Sequence, residues 1–189
     1  MEAINTKQFL DLQDLFEQST DIYADRVFST HMGKDMTYAE LRKHAYQFAS
    51  ILQHDCQINP GDRVAIMLPN LFQHHVALFG CVLAGAVVVC INPLYTSREL
   101  KHQLMDSGAR LMIGLDLFGD VIETGIQSTM VEQVVLTSFG DMLGIKGTIA
   151  NAWLRYLERK LPEFDLPDAK LFKSLQSIEY PPVKPIEDR

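Results

Sequence analysis

Between Gly61 and Gly108 the chain alternates two kinds of segment, and that alternation leaves few folds open. Residues 64–68 and 86–91 are continuous apolar runs that close on Pro69 and Pro93. The first opens after the turn residues Asn59, Pro60, Gly61 and Asp62, the second after Gly85. A helical segment follows each run. Strands that read apolar on both faces suit a parallel sheet covered on both sides, and parallel strands need helical crossovers. Residues 110–115 and 132–136 extend the pattern, with a helix expected over 121–128. The chain therefore predicts an α/β fold: a mainly parallel sheet with flanking helices, in which 86–91 is a central strand.

Local signals place the remaining elements. Residues 6–18 form an amphipathic helix with Phe9, Leu12, Leu15 and Phe16 on one face. Strands at 27–30 and 36–37 make a hairpin around 31–35, where Gly33 accepts positive φ. Thr37 with Glu40, and Thr96 with Glu99, are capping boxes that start helices. Leu41, Ala45, Phe48, Ala49 and Leu52 follow the first at helical spacing. Asn70 is the expected cap of a helix running to Ala84 and stopped by Gly85, and Gly108 stops the helix begun at Thr96. After Thr137 the character changes. Ile145, Ile149, Trp153 and Leu157 recur every fourth residue, and Pro162 and Pro167 end that helix. The organisation expected is an α/β subdomain over 1–142, an amphipathic helical appendage over 143–179, and an extended connector over 180–189 with nothing to pack it down.

Composition narrows function. Hydrophobic residues make up 47% of 189, enough for a substantial core. The charge is −7, from 17 basic and 24 acidic residues, the wrong sign for a nucleic-acid partner. Cys56, Cys81 and Cys90 lack metal or redox spacing and read as reduced core residues of a cytoplasmic protein. No run reaches the roughly 20 apolar residues of a membrane span.

Parallel strands invite a nucleotide at their carboxyl ends. The residues there, Leu68, Pro69, Asn70 and Leu71, then Ile91, Asn92, Pro93 and Leu94, are not the glycines that let backbone amides wrap phosphate, and neither common phosphate motif occurs. The six histidines read as surface residues with no metal spacing. Asp116 and Asp120, beside Gly114 and Gly119, read as solvated loop residues. The helix with Trp153 and Tyr156 also holds Lys146, Arg155, Arg159 and Lys160. It reads first as a helix packed on its own domain. The alternative is an interfacial helix with Trp153, Arg155, Tyr156, Arg159 and Lys160 as membrane contacts.

The wording of the chain resembles the amino-terminal part of the adenylate-forming superfamily, and within it bacterial long-chain fatty acyl-CoA synthetases. Met36-Thr37-Tyr38-Ala39-Glu40-Leu41 is similar to that family's first core motif, and Leu83-Ala84-Gly85-Ala86 through Asn92-Pro93 to its second. Asn92-Pro93-Leu94-Tyr95-Thr96-Ser97-Arg98-Glu99-Leu100, followed by Gln103 through Ala109, is close to the acyl-CoA ligase wording, with Ser97 where proline is usual. Gly147 through Pro162 resembles a segment of the long-chain enzymes. The resemblance implies a longer parent enzyme. That enzyme activates a fatty acid with ATP and Mg to an acyl-adenylate and then transfers the acyl group to coenzyme A. The phosphate loop, hinge aspartate and catalytic lysine of such enzymes find no match here. The resemblance therefore implies an inactive scaffold portion with no cofactor of its own, no catalytic residue and no metal. Its partner is the rest of the parent enzyme. If any residues here touch substrate, they are Asn92, Pro93, Leu94, Tyr95 and Thr96. A homodimer through an open sheet edge and peripheral contact with the inner face of the membrane are both compatible with this portion. A membrane- or partner-binding module and a 4-coumarate-like CoA ligase are the alternative readings.

Overall fold

The computed structural model describes residues 10–156, 161–176, 179 and 181–186. Helix α1 (Leu12–Ile22) starts where the Asp11 carboxylate accepts the Asp14 amide at 2.8 Å. The expected start at residue 6 lies outside the described residues, but the described part of the helix begins only at Leu12, after the Asp11 cap, and runs four residues beyond the expected end because Thr20 is buried with Phe16. Strands β1 (Val27–His31) and β2 (Lys34–Thr37) pair antiparallel. Met32 and Gly33 both take positive φ, 48° and 71°, as a two-residue hairpin that matches strand twist requires. Helix α2 (Tyr38–His54) opens on a complete Thr37–Glu40 capping box.

The main sheet follows. Strand β3 (Arg63–Met67), helix α3 (Phe72–Leu83), strand β4 (Val87–Cys90), helix α4 (Ser97–Ser107) and strand β5 (Leu111–Leu115) come in that order. A 3-10 turn at Asp116–Phe118, helix α5 (Gly119–Gly125), strand β6 (Gln133–Thr137) and helix α6 (Ile145–Tyr156) complete the next unit. Strand β7 (Lys170–Leu171) and helix α7 (Phe172–Gln176) end it. Five strands lie in the order β4-β3-β5-β6-β7, all parallel. Val64, Ile66, Leu111, Ile113 and Val135 face one apolar layer, shared with Phe48 and Leu52 of α2, Val76 and Cys81 of α3, and Phe172 of α7. Ala65, Met67, Met112, Val134 and Leu136 face the other, with Leu100 and Leu104 of α4 and Ile122 of α5. The strand order reverses direction at β3, so β3 and β5 flank the switch point where open α/β sheets bind ligands.

Besides the bounds of α1, five departures from the sequence expectations concern the sheet, its edges and its histidines. Residues 86–91 form an edge strand and not a central one: Val87 is half exposed and Cys90 exposed, so Cys90 is no core residue, whereas Cys56 and Cys81 are buried. Asn70 does not cap α3. Leu71 is the N-cap, without a side-chain bond, because Leu71 and Phe72 are both buried and set the start by packing. The segment 143–179 holds more than helix, since β7 joins the sheet beside β6 and the Phe172 ring packs at a tilt with its centroid 5.0 Å from that of Phe48. The tail is extended but not loose. Ser50 donates to the Pro181 carbonyl, and the Lys184 amide donates to the Gln53 side chain at 2.7 Å. The fifth difference concerns the histidines. His31, His44, His54, His74 and His75 are half-buried, and only His102 is exposed.

Three of these imidazoles are held below their ordinary value of 6.5. Burial is the main cause for each, joined by Lys43 beside His44 and by His74 beside His75; the Leu68 carbonyl, 3.2 Å from His74 Nδ1, opposes it. The unfolded chain therefore takes up protons first as pH falls. Stability is full above about 6.5, declines below it, and levels off once the folded imidazoles also protonate. Unfolding free energy measured between about pH 8 and pH 5 should show that decline, and the His44→Gln, His74→Gln, His75→Gln triple variant should flatten it. An equal decline in the variant would assign it to other groups.

Candidate functional site

The carboxyl ends of β5 and β6 are where the described polar side chains converge. Strand β5 delivers Asp116, a residue 9% exposed, and β6 delivers Thr137 and Ser138. Ser138 Oγ donates to Asp116 Oδ2 at 2.5 Å. Asp141 fixes the loop beyond: its Oδ2 accepts the Ser138 amide at 2.8 Å and the Thr137 hydroxyl at 3.0 Å. Helix α3 reaches across with the buried Gln73, whose amide donates to the Ser138 carbonyl at 2.9 Å. Helix α6 contributes Asn151, which accepts the Gly140 amide at 2.7 Å and donates to Asp141 Oδ1 at 3.2 Å. Gly140 and Gly147 allow this approach, since a Cβ on Gly147 would lie 1.8 Å from the Gly140 carbonyl oxygen.

A cavity of about 220 Å³ lies between this loop and α6, lined by Asp116, Leu117, Ser138, Phe139, Asn151, Ala152, Leu154 and Leu161. Its floor is anionic and its wall apolar. Among their described partners, the Ser138 hydroxyl faces a carboxylate and not an imidazole, so no activated nucleophile is assembled here. The sequence expectation for Asp116 is corrected: it is buried at a strand end, while Asp120 one turn later is exposed.

The loop after β4 has a different character. Asn92 Oδ1 accepts the Leu94 amide at 3.0 Å, and the Tyr95 amide donates to the Asn92 carbonyl at 3.1 Å. Thr96 and Glu99 form a complete capping box that starts α4. Pro93 and Tyr95 are half-buried, and Leu94 is 84% exposed. Asn92 and Thr96 thus have local structural roles, and Leu94 is the side chain that projects outward. This loop sits two strands from β5, about 10 Å away, and none of its residues lines the Asp116 cavity.

Helix α6 overturns the expectation that it packs its apolar face on its own domain. Trp153 is 46% exposed, and Ile145 and Ile149 are more so. Arg155 and Tyr156 lie in its last turn; Arg159 and Lys160 lie outside the described residues.

The described strand ends do not fit a nucleoside triphosphate with its metal. The β3 exit presents Leu68, Pro69, Asn70 and Leu71, with no cation and no glycine. Among the described residues no group of three His, Cys, Asp or Glu side chains gathers to hold a metal ion. The cation that does cross strands, Arg110, pairs Asp62 and Glu132 at 2.8 Å each at the opposite, amino ends.

Sequence reasoning missed Ser138, Asp141, Asn151 and Gln73. Their only local signal is Thr137-Ser138 followed by Asp141, the spacing of a side chain that closes a turn on its own backbone.

A model of the family described as AMP-binding enzyme matches residues 16–163. A long-chain-fatty-acid–CoA ligase of Escherichia coli O6:H1 is 45% identical over 172 residues, covering 90% of this chain and 31% of the relative. That of Haemophilus influenzae is 37% identical over 176 residues, 93% of this chain and again 31% of the relative. The chain thus spans under a third of the length of these curated relatives. Among solved structures, Mycobacterium smegmatis MbtA superposes with a TM-score of 0.73 at 25% identity, over 94% of this chain and 29% of that one. A benzoate CoA ligase from Burkholderia xenovorans LB400 gives 0.69 at 20% identity, over 93% and 30%, a likeness of fold alone.

Ser138→Ala should lower the unfolding free energy by about 1–3 kcal/mol, because it leaves a buried carboxylate short of a donor. Chemical denaturation measures this. A change under about 0.5 kcal/mol, the range of ordinary surface substitutions, would show that Asp116 does not depend on that hydroxyl.

Proposed function

We propose, from the premise that this chain belongs to the AMP-binding enzyme family, that it is the amino-terminal scaffold of a long-chain fatty acid–CoA ligase. The observation that carries the reading is the 45% identity over 90% of the chain to a long-chain-fatty-acid–CoA ligase. The parent reaction joins a fatty-acid carboxylate to the α-phosphate of ATP, expels pyrophosphate, and passes the acyl group to coenzyme A as a thioester. Clamping the charge that moves in adenylation needs cations or metal aimed at phosphate, and the strand ends described above supply neither. In this reading ATP, Mg and coenzyme A are bound by residues beyond this chain. Residues 1–142 are the α/β subdomain, 143–179 its appendage and 180–189 the lead toward the phosphate-handling part. The Asn92-to-Thr96 loop borders the acyl site, with Leu94 as the side chain that reaches it.

A chimera tests this directly. The chain replaces the matching residues of the Escherichia coli ligase, and oleoyl-CoA formation is followed with ATP, Mg and coenzyme A. The chimera should form product, the chain alone should release no pyrophosphate, and Leu94→Trp in the chimera should change acyl-chain preference. Pyrophosphate release by the chain alone would contradict the scaffold reading. A folded chimera active on benzoate or coumarate but not oleate would contradict the substrate class. Unchanged preference with Leu94→Trp would remove that residue from the acyl site.

A further inference from the structure

Helix α2 holds a distant stretch of chain by its backbone. Ser50, Gln53 and His54 stand at i, i+3 and i+4 and so share one face of its last turns. Against that face runs the extended segment 181–186. Ser50 donates to the Pro181 carbonyl, and His54 Nε2 lies 3.3 Å from the Pro182 carbonyl oxygen. Gln53 makes two bonds to one residue: its Oε1 accepts the Lys184 amide at 2.7 Å, and its Nε2 donates to the Lys184 carbonyl at 3.3 Å. In an extended chain the N–H and C=O of one residue point the same way, and a side-chain amide matches both. Grooves that bind extended peptides use main-chain bonds in the same manner.

The segment suits such a grip. Pro181, Pro182 and Pro185 carry no amide that asks for a partner, and their fixed φ leaves little freedom to lose on docking. Val183 packs on the apolar layer beneath. Ile186 rests on the turn into β4, where its Cδ1 lies 3.2 Å from the place a Cβ on Gly85 would take. Between these points the segment bridges a cavity of about 450 Å³, lined in part by Lys43, Tyr46 and Gln47 and by its own Pro181, Pro182 and Val183. Polar bonds and two apolar side chains over a cavity make a strap, fastened to the frame and not part of its core. Strand β4 links this strap to the loop beyond: Ile186 touches the entry of β4, and its exit carries Asn92 to Thr96.

We propose that Ser50, Gln53 and His54 are a backbone clamp, and that Gln53 is a positioning residue: by holding 181–186 it sets where the phosphate-handling part meets the loop after β4. The clamp stands on the geometry of α2 alone, whereas the positioning rests on the ligase reading.

Gln53→Met keeps the length of the side chain and removes both bonds. On the chain itself, methyl relaxation and nuclear Overhauser contacts of Val183 and Ile186 read whether the strap is fastened. Both residues should be ordered in the unaltered chain. They should loosen in Gln53→Met, and further when Ser50→Ala is added, while the methyls of Ile66 and Ile113 do not change. Val183 and Ile186 that stay fixed in both variants, or that are already loose in the unaltered chain, would overturn the clamp. In the chimera with the Escherichia coli ligase, Gln53→Met should lower kcat for oleoyl-CoA formation at least about tenfold and leave KM for oleate and ATP within about twofold. Its Tm should not move, because misplaced reacting parts slow the chemistry without unfolding the protein. Unchanged kcat, or a loss matched by a lower Tm, would overturn the positioning. A chimera that forms no product before any substitution would overturn the ligase reading and the positioning with it, and the clamp is still decided on the chain.

Discussion

A parallel strand must be covered on both faces, and the rest of this molecule follows from how β3, β5 and β6 meet that demand. Ile66 and Ile113 turn to α2 and α3, while Ala65 and Met112 turn to α4 and α5. The chain fills one helical layer with α2 and α3 and then crosses to the other with α4 and α5, and the strand order places the switch point between β3 and β5. All strand exits then lie at one end, and the cluster of Asp116, Thr137, Ser138, Asp141 and Asn151 collects there. The Asp116–Ser138 pair and the Asp141–Asn151 brace are the terminal hydrogen bonds of two sandwiched strands. At the other end Arg110 ties together the entries of β3, β5 and β6 through Asp62 and Glu132. Exposed ion pairs of this kind add little stability, so the apolar sandwich is what holds the frame.

The same demand accounts for what is left uncovered. Among the described residues strand β4 has a partner on one side only, and its exposed Val87 and Cys90 lie at that edge of the sheet. Helix α6 lies off the sandwich, against the exit loop of β6, with Gly147 buried on the Gly140 backbone and Asn151 and Leu154 half-buried on the same side. Its Ile145, Ile149 and Trp153 stay exposed. Frame and surfaces divide the labour: the first is built from this chain, and the second await other material.

Much of the frame was legible. Continuous apolar runs marked β3, β5 and β6, and both capping boxes form as their spacing requires. The family wording lay on the β4-to-α4 connection, where Asn92 and Thr96 have identifiable local bonds. What failed depends on tertiary position. An apolar run reads the same in an edge strand as in a central one, so 86–91 misled. Two-residue β7 is too short to have a period. Asn70 lost its capping role to the burial of Leu71 and Phe72. The docked tail is held by backbone groups meeting Ser50 and Gln53, which no local pattern records. For α6 the spacing correctly gave a helix with an apolar stripe, but spacing does not say which way a stripe faces. Asp116 was misjudged for the same reason: glycines nearby suggest a loop, and only the sheet shows that the loop is buried.

Amide hydrogen exchange under native conditions tests the claim that the doubly covered strands are the frame. Amides of β3, β5 and β6 should exchange slowest, with one common opening free energy equal to global unfolding, while those of α6 and β4 open at lower free energy. Protection of α6 equal to that of β3 and β5, or early exchange of Ile66 and Ile113, would contradict the account.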